Sequence, residues 1–208
     1  NEYEAKLAAF LRNFCHRDRA SGWKRDKRMR DTGPFIGIFK NGKWEGSYQG
    51  THAPVVTWYS PDMFAWLKTN RPETHEPVSD PEPIPDGAIM VKEMYPPPVS
   101  HCVDADPLRL FPLNGGAIMV RAAEASHDGW FWGWFGWKEG SWAPSWPAQA
   151  DNAYPNMDFG LYCTNCHSSA RDNQTFASLR NIEGEPGEPL VFLSHDFYLS
   201  PHFVRPDQ

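Results

Sequence analysis

The sequence predicts an α+β fold dominated by sheet, and three observations carry that expectation. β-branched and aromatic runs bounded by turn residues recur at 35–39, 55–59, 88–95, 117–122 and 130–135. Helical periodicity is confined to 3–14 and to a short run after Ser60. Twenty prolines, high for 208 residues, break long helices and favour irregular or strand-edge structure. That length supports one substantial core.

Taken in order, Tyr3, Leu7, Phe10, Leu11 and Phe14 fall at helical spacing with Glu4, Lys6 and Arg12 between them, which makes the first element an amphipathic helix that packs. Arg17, Arg19, Lys24, Arg25, Lys27, Arg28 and Arg30 follow, answered in part by Asp18, Asp26 and Asp31. This segment reads as a docking patch for an acidic redox partner or as an internally paired surface, and the second reading is favoured. Asp31-Thr32-Gly33-Pro34 is turn chemistry, and the strand at 35–39 enters an Asn41-Gly42 hairpin turn. After the strand at 55–59, Ser60 is an N-cap and Pro61 the first helical residue of a short helix through Met63, Phe64, Trp66 and Leu67. Residues 71–85 hold five prolines and form a surface connection. A turn at Ile84-Pro85-Asp86-Gly87 opens the strand at 88–95, which carries Lys92 in its interior. Trp130, Trp132 and Trp134 alternate with Phe131 and Phe135, so the three indoles share one face. Gly129, Gly133 and Gly136 leave space beside those rings for a flat cofactor or another backbone, although an ordinary sheet core also explains the pattern. Residues 141–156 are Pro- and Trp-rich and read as irregular.

A net charge of −6 argues against nucleic acid as a partner, because phosphate binding needs a basic face. No run of about 18 apolar residues is present, so no bilayer-spanning helix is expected. The polar, acidic start, Asn1-Glu2-Tyr3-Glu4, is unlike a signal peptide, and the expectation is an exported chain from which any such segment has been removed. Cys15 and Cys102 are then either a disulfide of an oxidising compartment or two separate buried thiols.

The chemistry concentrates at Cys163-Thr164-Asn165-Cys166-His167. Two thiols separated by two residues can each add across a haem vinyl group, and the adjacent His is then held against the iron, so the spacing reads as c-type haem attachment. With 4 Cys and 8 His in the chain, the pattern arises by chance about 0.003 times. A thioredoxin-like pair would want a helix-forming sequence after it, and a zinc site a second ligand pair; neither is present. Cys15-His16 has the His but lacks the second thiol. No Met follows His167, and Met157 precedes the motif too closely to reach the opposite haem face. His195 and His202 could supply a sixth ligand, but an open iron position, suited to chemistry or gas binding, is the expectation.

Three features resemble the cytochrome P-460 family, which includes the cytochromes c′-beta: the turn and strand at Pro85-Asp86-Gly87-Ala88-Ile89-Met90-Val91-Lys92-Glu93, the strand at Asp128-Gly129-Trp130-Phe131-Trp132-Gly133-Trp134, and the late motif at Cys163, Cys166 and His167. The resemblance covers roughly residues 50–175, which divides the chain into a helical and basic extension at 1–49 and a haem-binding domain at 50–208. It implies a mainly antiparallel sheet with a few helices, a single five-coordinate haem c with His167 as proximal ligand, and often a homodimer. In hydroxylamine-oxidising members a Lys at the position of Lys92 is linked covalently to the haem edge, and a carboxylate at the spacing of Asp158 relays protons. Other members bind nitric oxide instead. Each role has a plainer rival: Lys92 as a snorkelling strand residue, Asp158 as a turn cap one methylene shorter than Glu.

The function expected is therefore an exported, periplasmic or otherwise extracytoplasmic mono-haem cytochrome. It would oxidise hydroxylamine or bind nitric oxide and pass electrons to a redox partner protein. The alternative is a non-enzymatic electron-transfer or structural haem subunit of a larger assembly, for which the N-terminal helix and basic segment would serve docking.

Overall fold

The computed structural model describes residues 2–32, 35–40, 43–48, 52–72, 78, 80–96, 106–125, 128–142, 157–158, 167, 170 and 175–189, with 35–40, 43–48 and 157–158 described in backbone alone. The chain begins with α1 (Glu2–Arg12) and a short β1 (Lys24–Arg25), followed by the hairpin β2 (Phe35–Lys40) and β3 (Lys43–Tyr48). Next come β4 (Val55–Tyr59), α2 (Pro61–Asn70), β5 (Ile89–Met94), β6 (Gly116–Arg121) and β7 (Trp130–Gly136). Two-residue strands β8 (Ser141–Trp142) and β9 (Met157–Asp158) complete the described elements.

The organising layer is one antiparallel sheet of seven strands in the order β1-β4-β5-β6-β7-β8, with β9 also on β7. The fold is thus α+β with sheet dominant. The hairpin stands as a separate two-stranded sheet, and pairing of Lys40 with Lys43 leaves the two-residue connection that Asn41-Gly42 predicts. Asn41 and Gly42 themselves lie outside the described residues.

Strand alternation divides the interior into two cores. On one face α1 buries Leu7, Ala8 and Leu11 against Trp58, Val91, Ile118 and Phe135. Full burial of each such side chain contributes roughly 1.5–3 kcal/mol, which stabilises α1 far beyond what an isolated 11-residue helix achieves. Its carbonyls are met by indoles from the far end of the sheet, Leu11 O by Trp137 Nε1 at 2.9 Å and Glu4 O by Trp142 Nε1 at 3.2 Å. On the other face α2 buries Met63 and Leu67 with Tyr59, Met90, Met119, Trp130, Trp132, Leu179 and Ile182. Ser60 Oγ caps α2 by accepting from Met63 N and also accepts from Ile89 N at 2.9 Å, which ties the helix start to β5.

The basic segment pairs several of its charges within the chain. Arg17 pairs with Glu93 at 2.7 Å, Arg19 with Glu183 at 3.0 Å, Arg25 with Glu183 at 3.5 Å, and Lys27 Nζ donates to Gly187 O at 2.6 Å. With β1 paired to β4, α1 and this segment are built into the same sheet and core as the later strands. Among the described residues no helix is long and apolar enough to cross a membrane.

Candidate functional site

Sheet register brings Lys92, Trp130, Trp132 and Trp134 onto the α2 face. In β5 the alternation sends Met90 and Lys92 to that face and Val91 and Glu93 to the α1 face. Lys92 lies between Thr57 of β4 and Ala117 of β6, with Trp134 of β7 next in the row. Its small neighbour Ala117 leaves the long side chain room along the sheet.

Lys92 Nζ lies 3.0 Å from His52 Nε2. His52 stands just before β4 and is fixed through its backbone: its N–H donates to Thr32 Oγ1 at 3.2 Å, and its carbonyl accepts from the same hydroxyl. Burial pushes the imidazole pKa down to about 3, helped by the nearby charges of Lys92, His167 and Arg30. His52 is therefore neutral at ordinary pH. Its Nδ1 is buried without a hydrogen-bond partner.

The motif histidine reaches the same face. The His167 ring is half-buried and meets Trp132 edge-on at 4.9 Å and 66°, and Phe176 at 5.1 Å and 61°. Trp132 is itself held by Asp128, whose carboxylate accepts from Trp132 Nε1 at 2.8 Å and from Trp130 N at 3.0 Å. Asp158 lies on β9 and pairs with Trp132 in the strand register, and the motif's own histidine meets the ring of that same residue. Asp158 thus sits in a strand, whereas the plainer sequence reading made it a turn cap. Cys163 and Cys166 lie outside the described residues, as do His195 and His202.

A haem on this motif needs an imidazole at a fixed angle and an apolar wall for the macrocycle. The chain's residues fit both needs. His167 is held between two aromatic rings, and Trp132 presents the wall. Lys92 and the partnerless Nδ1 of His52 supply polar atoms on the same face.

The three indoles divide their work. Trp132 meets the His167 ring, while Trp130 is fully buried with its ring 6.3 Å from that of Trp132 and the Arg121 guanidinium 5.6 Å over it. Trp134 is half-buried in the row of Lys92. The glycine spaces are also filled from within the chain. A Cβ on Gly129 would strike the Arg121 guanidinium, and one on Gly136 the Glu139 carboxylate, so these two positions are small for the protein's own side chains.

Sequence reasoning missed two features. His52 carries no pattern, because its partners lie 20 and 40 residues away. The second is on the α1 face, where fully buried Glu93 accepts from His16 Nε2 at 2.8 Å and Arg17 Nε at 2.7 Å on one oxygen, and from Trp58 Nε1 at 2.9 Å and Tyr95 OH at 2.8 Å on the other. Burial pushes the Glu93 carboxyl up, but these donors outweigh it and hold the pKa below the usual range. His16, ringed by Phe10, Phe14, Trp23, Trp58 and Trp137, is pushed down by burial. Cys15 is exposed and free, so Cys15-His16 offers no second haem site: the thiol and the imidazole part to opposite environments. Cys102 lies outside the described residues. No protein-family model, curated protein or solved structure gives a significant match to the chain.

Proposed function

We propose that the chain is an exported c-type cytochrome with one haem tethered to Cys163 and Cys166, His167 as the proximal iron ligand, and an open iron face that takes a small nitrogen compound. The resemblance to the cytochrome P-460 family makes hydroxylamine the substrate or nitric oxide the ligand. The observation that carries this reading is the meeting of the motif histidine with Trp132 on the sheet face that also bears Lys92.

When bound, haem iron supplies a redox centre that takes the nitrogen atom and draws off its electrons. The chain's residues do the rest. Trp132 and Phe176 meet the His167 ring edge-on and restrict its rotation. Asp158, next to Trp132 in register, is the carboxylate for protons released as the substrate is oxidised. Lys92 is the residue that would join the macrocycle edge, and His52 fixes its nitrogen. Electrons leave to a partner protein outside the cytoplasm.

A second reading, an electron-transfer or structural haem subunit, is favoured by one observation: His52 brings another imidazole within electrostatic reach of His167. Against it, the nitrogen of His52 nearest Lys92 is already engaged, and the basic segment that would dock a partner is paired internally.

Proteolysis and mass spectrometry test the tether: haem should remain on the peptide holding Cys163 and Cys166, and a haem-free peptide would end the proposal. Replacing Asp158 by Asn should slow hydroxylamine turnover by about 10²–10⁴-fold with haem retained, the range for loss of a proton-transfer group. Equal turnover would remove Asp158 from the mechanism.

A further inference from the structure

We infer that His52 is a positioning residue for Lys92, and that this bond fixes the imidazole as the Nδ1–H form with its N–H directed to an acceptor that the described residues do not provide. A Lys ammonium has three donors and no acceptor, so the contact at 3.0 Å requires Nε2 of His52 to accept. A neutral imidazole that accepts at Nε2 carries its proton on Nδ1. That atom is buried and has no partner.

The anchoring is rigid where a chance contact would be loose. Thr32 holds His52 at both its N–H and its carbonyl, and the neighbouring bridge of Arg30 to Val55 fixes the start of β4. Lys92 is held from its own strand, where Glu93, the next residue, takes four donors on the opposite face. Two stiff backbones therefore bring one amine and one imidazole together beside His167. The low proton affinity of His52 follows from burial and from Lys92, His167 and Arg30, and agrees with an imidazole that accepts rather than repels the ammonium. The use of this arrangement, delivery of the Lys92 nitrogen to one place at the haem edge, rests on the function proposed above; the bond itself does not.

The test uses the full chain as isolated. Acylation of lysines, read residue by residue in the mass spectrometer, compares Lys92 with the exposed Lys6 and Lys138. In His52→Ala, Lys92 should react about tenfold faster, the loss expected for a hydrogen bond to a charged group, while Lys6 and Lys138 stay unchanged. His52→Gln, whose carbonyl can accept, should restore most of the protection. If Lys92 is joined to haem in the unaltered protein it will not react at all, and a reactive Lys92 should then appear in His52→Ala. An unchanged Lys92 in His52→Ala overturns the inference. If every lysine speeds up together, the unaltered protein decides by ¹⁵N spectroscopy of His52: a proton on Nδ1 supports the assignment and a proton on Nε2 overturns it. Absence of haem from the intact mass would sink the proposed function and leave both readouts standing.

Discussion

Glu93 shows how much one side chain can hold in place. Its two oxygens take four donors in a site closed to water, so the carboxylate is satisfied while each donor depends on it. Truncation by Glu93→Ala leaves Arg17 as an unpaired, mostly buried charge and should cost about 3–5 kcal/mol, read as a lower denaturant midpoint. An unchanged midpoint would mean that the network is slack. The same cluster sets a pH dependence. His16 has a pKa held below its ordinary value, so the unfolded chain takes up a proton near pH ~6.5 that the folded chain refuses. The stability that neutral His16 contributes is therefore present above that pH and lost as the pH falls, and His52 acts in the same direction. Glu93, also held low, adds a further loss below its ordinary carboxylate range. Buried Asp26, pushed up by burial, has the opposite sign above its ordinary value, so the comparison between about pH 7 and 5 reads the two imidazoles against this one carboxyl. Denaturant melts at those two pH values should give the lower midpoint at pH 5. The reverse order would contradict the burial of the two imidazoles. At this scale the motif marked His167, and only the family resemblance pointed to Lys92 and Asp158. The roles of Glu93 and His52 were not legible, because nothing local records a partner 77 or 40 residues away.

Among the elements, those with a full turn or several alternations of pattern were legible: α1, the β2–β3 hairpin, β4, α2 and strands β5 to β7. The two-residue strands β1, β8 and β9 were not, because they are too short for any period and exist by pairing with β4 and β7. β9 matters most, since it delivers Asp158 beside Trp132. The α2 start is testable on its own. Ser60 Oγ serves both Met63 N and Ile89 N, so Ser60→Ala removes a cap and orphans a strand donor together. The expected loss is about 1–2 kcal/mol by chemical denaturation, at the upper end for a lost cap. A loss near zero would show that water replaces both bonds.

Across the whole molecule, one sheet separates the α1 face, where Glu93 is locked, from the α2 face, where the proposed haem would sit. β5 carries both, with Glu93 locked under α1 and Lys92 directed to His52 on the side of α2. α1 and Arg17 belong to the Glu93 side, whereas Lys24 over the Phe64 ring and Arg30 near Asp26 and His52 lie on the α2 side, so the basic segment serves both faces of the sheet. The functional face was legible as a list of residues but not as a site, because only the register of β5, β6 and β7 decides that Lys92, Trp134 and Trp132 share a surface with His167. The proposed function turns on a haem whose iron face opposite His167 is open. The optical spectrum of the reduced protein before and after addition of carbon monoxide tests this directly. A prompt shift of the main haem band is the expected result; a spectrum that carbon monoxide leaves unchanged, with a side chain of the protein holding the sixth position, would contradict it.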